Sequence, residues 1–539
     1  MKEFTKIGPL LIILLAAVFS TGCKPKDAGT GTAADGSAAG TLKKLVFATT
    51  ENTDPNYSYK NKLPVWAELE KRTGVEIEFE VTAAADFNSV MSVRMAAGVN
   101  LPDIARLPAG NPLQYAVNGL IIPLNDLIGQ YGPNITALFE NRSDVRKTLT
   151  APDGKIYVVA AVVDARSNVN FPSFSIRKDW LAKLGISEPD TIADWYTMLK
   201  AFKTGDPNGN GKADEIPLME EGRIGSSANA NVSANGLFRF ATAWGLHLYM
   251  SDGWYTVGDK VVYDWLDPRL RDFLAEMHKW YAEGLIDPEF STQNNEQYTA
   301  KAIGNIAGAD TSTMSMMFPQ WNQRMQASYP GTRWETVDPP MGPNGDRFLI
   351  RETPIENVYF GITRDCKDPV TALKWLDYMY ASPEGQILMC NFGIEGDTYT
   401  MIDGKPTFGD TVLKYERGSG LAMEIRGMNT PSFPRILMSE MIEQRFMIYP
   451  DEVAAAKKAS QYYIPPFPVI MATDEENTEY VSIMTDIDTL RNEYIFDFIT
   501  GRKNISQFDS YVNQVKAMGI DRAVAIKQAQ YNRYQGITN

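Results

Sequence analysis

Histidine, the side chain that most often moves protons near neutral pH, is almost absent from this chain. Only His247 and His278 occur in 539 residues, and they lie too far apart in sequence to form a helical metal-binding pair. The chain has no Gly-x-Ser-x-Gly elbow, no Walker-type phosphate loop and no dinucleotide-binding Gly-x-Gly-x-x-Gly. Catalysis by histidine is therefore poorly supported. A pair of carboxylates could still act as acid and base, but the sequence singles out no pair among its 66 acidic residues.

Cysteine is equally scarce. Besides Cys23, the chain contains only Cys366 and Cys390. Their spacing does not require a disulfide, so one bridge and two free thiols both remain open. Long hydrophobic runs are also missing, because no segment after residue 19 approaches the roughly 20 apolar residues of a membrane-spanning helix.

Positive charge is outweighed by negative charge. The net charge is −14 and the isoelectric point is near 4.9, which argues against nucleic acid as a partner because that affinity depends on Lys and Arg contacts to phosphate. The composition, with 44% hydrophobic and 22% charged residues, is that of globular protein. The length beyond the N-terminal region predicts two or more compact units.

The N-terminus has the pattern of a secretory signal over residues 1–22. Early lysines precede the apolar run 10–19, and small residues then lead to Cys23. The segment 19–23 resembles a bacterial lipobox, with Ser20 where leucine is usual, and so predicts a lipidated Cys23. Ordinary signal cleavage, which would leave a free thiol, is the alternative. Residues rich in Gly, Ala, Ser and Thr follow, so we expect a flexible tether over 23–43 and an extracytoplasmic protein anchored to the cell membrane.

The rest of the chain alternates strand and helix patterns. The apolar run 45–48 and the alternating run 75–81 predict strands on either side of a helix that opens at Leu63-Pro64 and stops at Gly74. Further helices are predicted after Asp267-Pro268 and after Asp368-Pro369, with a strand at 359–363. Repeated β-α-β units of this kind indicate the α/β class.

One short segment has the chemistry of a calcium loop. Oxygen-bearing side chains alternate at positions 1, 3 and 5, and glycine follows at position 6, as in the first half of an EF-hand loop. Pro217 stands where the EF-hand has its bidentate glutamate, so the segment is a calcium loop of another lineage or a polar turn. Carboxylates crowded into so short a loop repel unless a cation neutralises them, which favours a structural Ca²⁺. The candidate ligands are Asp206, Asn208, Asn210, the Lys212 carbonyl, Asp214 and Glu215.

Aromatic residues make up 11% of the chain, and several lie among Gly and Asn rather than on helical faces. Planar rings in a cleft can stack on sugar rings, while Asn, Asp, Glu and Arg bond the hydroxyls. A single tryptophan is more often a core residue than a cleft residue. Candidates of this kind are Trp244, Trp254, Trp321 and Tyr399.

Several segments in a fixed order resemble the extracellular solute-binding proteins of family 1, in particular lipoproteins of the LipO type and alginate-oligosaccharide-binding proteins. The likeness is best over about residues 44–400. It rests on Ile176-Arg-Lys-Asp-Trp-Leu181, Leu101-Pro-Asp-Ile104, Gly119-Leu-Ile-Ile-Pro-Leu124, Asp153-Gly-Lys-Ile-Tyr157 and Gly393-Ile-Glu-Gly396.

The resemblance implies a two-lobed α/β fold of periplasmic-binding-protein type II with ligand in the cleft between lobes. The first lobe would hold 44–164 and 346–392, and the second 165–345 and 393–539. Hinge closure would present the ligand to the transmembrane subunits of an ABC permease. By the same resemblance the calcium loop is structural and lies in the second lobe, away from the sugar.

Ligand residues follow from the resemblance and from strand ends. The likeness points to Glu395 and Tyr399, although Thr398-Tyr399 replaces the usual His-Tyr or His-Trp, and to a Pro/Trp loop at Trp321. Open sheets bind ligands where their strands end, so residues on loops at predicted strand ends are added to the ligand candidates. The remaining candidates are Arg106, Asn52, Asp54 and Trp244.

Two classes of function are weighed. The first is a monomeric binding protein without catalysis that captures an oligosaccharide, for which an acidic, plant or algal glycan is the suggested source. The second is a secreted glycan-cleaving enzyme with two cleft carboxylates. The same fold could also serve a peptide ligand or a sensor. The resemblance and the lack of a catalytic motif favour the binding protein.

Overall fold

The structure, a computed structural model, describes residues 42–52, 54–163, 173–220, 235–311, 321–351, 353–416, 418–428, 432–446 and 450–536. The predicted signal segment, Cys23 and most of the predicted tether lie outside the described residues. None of the described helices is both long enough and apolar enough to cross a membrane.

The strands are short, and most belong to two sheets. In chain order they are β1 Lys43–Thr50, β2 Val75–Thr82, β3 Ile104–Arg106, β4 Val159–Val163, β5 Phe174–Arg177, β6 Ile216–Leu218, β7 Trp254–Val257, β8 Lys260–Tyr263, β9 Ala307–Asp310, β10 Trp334–Val337, β11 Leu349–Ile350, β12 Ile355–Ile362, β13 Tyr399–Ile402, β14 Lys405–Phe408, β15 Ile436–Leu437 and β16 Tyr463–Ile464.

Helices surround the sheets. They are α1 Pro64–Thr73, α2 Ala84–Ala97, α3 Leu113–Val117, α4 Asn125–Tyr131, α5 Pro133–Asn141, α6 Ser143–Leu149, α7 Lys178–Leu184, α8 Ile192–Thr204, α9 Arg269–Ala282, α10 Asn295–Ile303, α11 Gln323–Ser328, α12 Pro369–Leu376, α13 Pro383–Gln386, α14 Asp410–Leu413, α15 Ser419–Glu424, α16 Ser439–Phe446, α17 Pro450–Ala459, α18 Asp474–Thr500, α19 Phe508–Ala517 and α20 Ile520–Gly536.

The larger sheet has six strands in the order β15-β4-β12-β3-β1-β2. All of its strands are parallel except β12, which runs antiparallel to both neighbours. The smaller sheet has the order β10-β5-β9-β6, and there β5 is the antiparallel strand. Mostly parallel sheets with helical connections confirm the α/β class predicted from the sequence.

Local sequence signals account for the first β-α-β unit. Pro64 begins α1, where its missing N–H is no loss, and Gly74 ends the helix with a φ of +68°. β1 and β2 then pair in parallel, with Phe47 opposite Phe79. The predicted unit is confirmed, as are the predicted helices at α9 and α12 and the strand β12.

The buried side chains form two hydrophobic clusters. The first core gathers around the six-stranded sheet and extends to Met471, and the second gathers around the four-stranded sheet and the C-terminal helices. The first core also takes in Met219, Tyr298, Trp321 and Trp334 from the region of the four-stranded sheet. The chain leaves the second core between Leu349 and Ile355, and its later buried members of that core begin at Met484. The buried apolar residues from Tyr399 to Ala459 thus pack in the first core, although 393–539 was assigned to the second lobe, while Tyr463, Phe467 and Ile470 pack against the second core. The lobe boundaries stay a prediction.

Candidate functional site

Polar side chains gather where strands of the six-stranded sheet end. Arg106, the last residue of β3, donates from Nη1 to Thr50 Oγ1 at 2.7 Å, and Thr50 is the last residue of β1. Beside them, Arg435 Nη2 donates to Glu356 Oε1 at 2.6 Å. Burial lowers the pKa of Arg106, and the charge of Arg435 adds to this while that of Glu356 opposes it. We call Thr50, Arg106, Glu356 and Arg435 the first edge group.

A second polar group lies at the end of the four-stranded sheet. Because β6 and β9 are parallel, the residues that follow them meet at one edge. Thr311 Oγ1 donates to Glu220 Oε2 at 2.7 Å, and Tyr298 Oη donates to Asp310 Oδ1 at 2.7 Å. The side-chain amide of Gln293 donates to the Glu220 carbonyl. All five residues are buried.

Arg239 completes this second edge group. It lies on the 3₁₀ segment Gly236–Trp244, is 4% exposed, and its guanidinium carbon lies 4.2 Å from the centre of the Tyr249 ring. Burial acts to lower its pKa, but the nearby negative charge of Glu220 and Asp310, together with Tyr249, raises the pKa overall. The guanidinium therefore stays charged.

Two features show that the group is tightly built. A Cβ on Gly236 would lie 2.3 Å from Glu220 Oε2 and 2.3 Å from Thr311 Oγ1, so glycine is needed for the segment to approach the sheet edge. Nε and Nη1 of Arg239 have no hydrogen-bond partner among the residues that the structure describes. Buried donors of this kind are costly unless something accepts from them.

The predicted calcium loop is a compact turn at the surface. The carboxylate of Asp206 accepts from the backbone N–H groups of Asn210 and Gly211, each at 3.1 Å. Asn208 Nδ2 and Asn210 Nδ2 each donate to Asp214 Oδ1 at 3.0 Å, and these bonds lower the pKa of Asp214. The loop thus gathers its oxygen-bearing side chains around one turn.

The charges of the loop are crowded. Burial raises the pKa of Glu215, and the negative charges of Asp214 and Asp206 raise it further. Glu215 Oε1 is buried and has no hydrogen-bond partner in the described part of the chain. No cluster of three or more His, Cys, Asp or Glu side chains suited to a metal is found among the described residues, so amide and carbonyl oxygens would have to complete any site here.

The model of one protein family covers more than half of this chain. The bacterial extracellular solute-binding protein family matches residues 54–387. The chain belongs to this family. The chain is similar to FusA of Streptococcus pneumoniae, a fructooligosaccharide ABC transporter substrate-binding protein. The two sequences are 26% identical over 100% of this chain and 99% of FusA. The chain is also 25% identical to the lipoprotein LipO of Bacillus subtilis, over 72% of this chain and 73% of LipO.

A solved structure gives the same result. The alginate-binding protein AlgQ2, solved without calcium ion, matches this solute-binding protein with a TM-score of 0.73 and 26% identity over 92% of this chain and 98% of AlgQ2. The fold is therefore the two-lobed α/β fold of the solute-binding proteins, as predicted. FusA and AlgQ2 are both named as binding proteins, which supports a non-catalytic role at the level of the family.

Three of the ligand residues predicted for this solute-binding protein lie near the first edge group in sequence. Arg106 belongs to the group. Asn52 is 4% exposed and donates to the carbonyls of Tyr57 and Glu424, so its amide joins two loops. Asp54 caps the short 3₁₀ turn at Pro55–Tyr57. The structure therefore brings Arg106 into the polar group. Asn52 and Asp54 instead make contacts that stabilise the local loop structure.

The three candidate tryptophans are packed inside the protein, and Trp254 is 3% exposed. Trp321 is 0% exposed and lies between Tyr298 and Trp334, with ring centres 5.6 and 5.2 Å away. Trp244 is 4% exposed and packs edge-on against Phe273. Protein covers both rings, so neither has a free face for a sugar as placed here. A ligand role for them stays a prediction.

Glu395 and Tyr399 lie next to each other. They form an isolated bridge, and Tyr399 pairs with Phe408 in the β13–β14 hairpin. Tyr399 is 8% exposed and packs against Phe392. Burial raises its pKa, and the charge of Glu395 adds to this. Their role in ligand binding also stays a prediction.

The sequence reasoning missed most members of both edge groups. A signal was present for some of them, since Thr50 and Asp310 are polar residues at the ends of apolar strands. No such signal marked Arg239 or Arg435. Each meets its group only because a loop folds back on a sheet edge.

Proposed function

We propose that this chain is the substrate-capturing lipoprotein of an ABC importer and that it binds an oligosaccharide between its two lobes without altering it. The observation that carries the proposal is the pair of edge groups, one at the end of each sheet. In open α/β sheets this edge is where ligands bind. Carboxylate, guanidinium and hydroxyl groups suit the hydroxyls of a sugar.

The relatives support a sugar rather than a peptide. FusA is named for fructooligosaccharides, and a structure of FusA in complex with kestose aligns with 92% of this chain at 25% identity. AlgQ2 is named for alginate. The unpartnered N–H groups of Arg239 would donate to a sugar oxygen, which would satisfy donors that are otherwise buried at a cost.

We further propose that the first lobe consists of the six-stranded sheet with residues up to about 459, and the second lobe of the four-stranded sheet with the C-terminal helices. This moves 393–459 from the second lobe to the first, because the buried apolar residues of this stretch pack in the first core. β11 lies at the crossing between Leu349 and Ile355 and pairs in parallel with β16, so this pair would act in the hinge.

The residues of the loop 206–215 fit a bound Ca²⁺. Asp206, Asn208 and Asn210 supply side-chain oxygens, Lys212 a carbonyl, and Asp214 and Glu215 carboxylates, which is the hard-oxygen donor set that calcium prefers. The unpartnered Oε1 of Glu215 and the mutual repulsion of the carboxylates support a cation there. AlgQ2, whose structure was solved without calcium ion, gives independent support. The ion would hold the loop and take no part in chemistry.

The anchor is proposed from the sequence and from the lipoprotein LipO. Lipidation at Cys23 would hold the protein, as a monomer, at the outer face of the cell membrane near the permease subunits. Substituting Cys23→Ala should release the protein into the medium, and metabolic labelling with a fatty acid should label only the parent protein.

Binding is tested by calorimetric titration of the mature protein against fructooligosaccharides, uronate oligosaccharides, neutral oligosaccharides and peptides. The expected result is saturable binding of one sugar class, with the ligand recovered intact by mass spectrometry. A clear response to peptides with none to any sugar would refute the carbohydrate ligand. Recovery of shortened sugar would refute the non-catalytic role.

A further inference from the structure

The loop 245–253, which leads into β7, has an unusual backbone. Two of its residues other than glycine have a positive φ, Met250 at +64° and Asp252 at +51°, and so do Gly245 at +71° and Gly253 at +79°. Side chains other than glycine adopt this conformation at a cost, and residues held in it cluster at binding sites and switch regions. Contacts of the loop must therefore hold it in this conformation.

The first of these contacts are within the loop. The backbone N–H of Ser251 donates to the Tyr249 carbonyl at 2.8 Å, and that of Gly253 donates to the His247 carbonyl at 3.1 Å. A Cβ on Gly253 would lie 2.3 Å from Cδ1 of Trp265, so glycine lets the loop pack directly on this ring. A turn that is bonded to itself in this way should move as one unit.

Tyr249 connects the loop to the second edge group. It is 8% exposed, its Oη accepts a hydrogen bond from Nη2 of Arg239, and the guanidinium carbon lies 4.2 Å from the centre of its ring. Nε and Nη1 of Arg239 have no hydrogen-bond partner among the described residues. The contact with Tyr249 therefore sets the direction in which the guanidinium points.

The same loop contacts the chain on both sides of the β11–β16 pair. The His247 ring stacks on Phe348, the residue before β11, with 5.0 Å between the ring centres. Ser251 Oγ accepts from the backbone N–H of Phe467, three residues after β16, at 3.1 Å. His247 is itself fixed, because Oδ2 of Asp264 accepts from its backbone N–H and from Nδ1, each at 2.8 Å.

We propose that Tyr249 is a positioning residue for Arg239 and that the loop 245–253 couples the second edge group to the β11–β16 pair. A solute that accepts from Nε or Nη1 of Arg239 would shift the guanidinium, and the bond to Tyr249 would carry that shift into the loop. Ser251 and His247 would pass it to the segments beside β11 and β16. The inference rests on the proposed function for the solute and the hinge, whereas the coupling belongs to the protein without solute.

The first test follows amide hydrogen exchange in the mature protein without solute, resolved to single residues by mass spectrometry. Two amides are the reporters: that of Phe467, which donates to Ser251, and that of Arg351, which donates to the Ile464 carbonyl at 3.0 Å. Tyr249→Phe keeps the ring and removes the hydroxyl acceptor. Exchange at both amides should become at least about fivefold faster, the lower end of the range for coupled sites.

The matched control is Tyr196→Phe. It removes a hydroxyl that donates to Glu283 Oε1 at 2.9 Å, in contact with neither the loop nor the β11–β16 pair. Both reporter amides should exchange as in the parent. Exchange in α8 should stay unchanged in Tyr249→Phe, which separates coupling from a general loss of stability. A change in Tyr249→Phe that is confined to residues 239–249 would overturn the proposal, because a purely local role predicts that result.

The second test asks whether the effect passes through Ser251. Ser251→Ala removes the acceptor of the Phe467 N–H and should speed exchange at this amide by itself. The double variant with Tyr249→Phe should then exchange at Phe467 no faster than Ser251→Ala does, because contacts on one route are not additive. Full addition of the two effects would show separate routes and would also overturn the proposal.

The failure of this inference can be told apart from the failure of the proposed function. Reporter amides that do not respond to Tyr249→Phe would refute the coupling, whatever solute the protein binds. Calorimetric titration without binding of any sugar would refute the proposed function, and the exchange results without solute would still decide the coupling.

Discussion

At the scale of the residue, Arg106 is the ligand candidate that both the sequence and the structure bring to a sheet edge. Its guanidinium is held by Thr50 and lies 5.0 Å from the centre of the Phe87 ring, so it is oriented before any ligand arrives. Arg106→Gln should weaken binding of the solute by about 1.5–3 kcal/mol, the range for a hydrogen bond to a charged group.

The measurement is calorimetric titration with the solute found for the parent protein. Arg522→Gln is the matched control, because Arg522 lies on the surface and pairs with Glu479. The control should bind normally, and both variants should keep the melting temperature of the parent. Unchanged affinity in Arg106→Gln would remove Arg106 from the site.

The charge of Lys527 should also affect how the free energy of unfolding depends on pH. Burial depresses its pKa from 10.5 to about 8, so the folded state releases this proton more easily than the unfolded state does. The cost of the charge is fully present below pH 8 and is relieved as the pH rises from about 8 to 10.5.

Without ligand, Lys527→Met should therefore unfold with a free energy about 1–3 kcal/mol higher than the parent at pH 7. The gain should shrink when urea unfolding is repeated near pH 10. Lys516→Met is the control, since Lys516 is exposed and should show no gain at either pH. A gain that does not depend on pH would show that the charge is not the cause.

At the scale of the element, the end of α1 is set by one backbone conformation. Gly74 has a φ of +68°, which side chains other than glycine adopt at a cost, although a Cβ there would meet no atom within 4 Å. Gly74→Ala should lower the free energy of unfolding by about 1 kcal/mol through backbone strain alone.

The matched control is Gly129→Ala inside α4, where a Cβ also meets nothing and the backbone is helical. This control should raise the free energy of unfolding by about 0.5–1 kcal/mol, because alanine favours the helix. Chemical denaturation of both variants checks the pair. Equal effects of the two substitutions would refute the role given to the conformation of Gly74.

The loop 206–215 gives the second prediction at this scale. If it holds Ca²⁺ only when folded, saturating calcium should raise stability by about 2.7 kcal/mol at a hundredfold excess over the dissociation constant. Melting temperatures in calcium and in chelator should then differ by several degrees. Asp206→Ala should abolish the difference, while Asp486→Ala, at an exposed position of α18, should keep it. An unchanged melting temperature after addition of chelator would refute the calcium site.

At the scale of the whole molecule, two hydrophobic cores are connected by short crossing segments, and the edge groups lie at the ends of the two sheets. A solute that contacts both groups should shift the population towards a closed arrangement. Small-angle X-ray scattering of the mature protein should show a smaller radius of gyration with solute than without it. A solute that binds tightly without changing the radius would indicate that one lobe does the binding.

Particular residues show how far sequence reasoning reaches. It predicted β1, α1 and β2 because Pro64, Gly74 and the alternation at 75–81 are local signals. It predicted the α/β class for the same reason, and the family from segments whose order survives divergence. It did not predict that Arg239 meets Glu220 and Asp310, because that contact depends on the parallel register of β6 and β9. It predicted Trp321 as a ligand residue, but it did not predict that this ring packs between Tyr298 and Trp334, because those contacts depend on the tertiary structure.

The sequence by itself thus determined the class of fold and the family, since both depend on patterns of neighbouring residues, and the calcium loop and the N-terminal signal stay predictions from such patterns. Tertiary structure alone decided which polar groups share an edge, which tryptophans are core, and where burial shifts the pKa of a charged group. Lys527 shows the reason. Burial lowers the pKa of its ammonium, which lies 4.6 Å from the centre of the Tyr480 ring, and no spacing along the chain expresses such an arrangement.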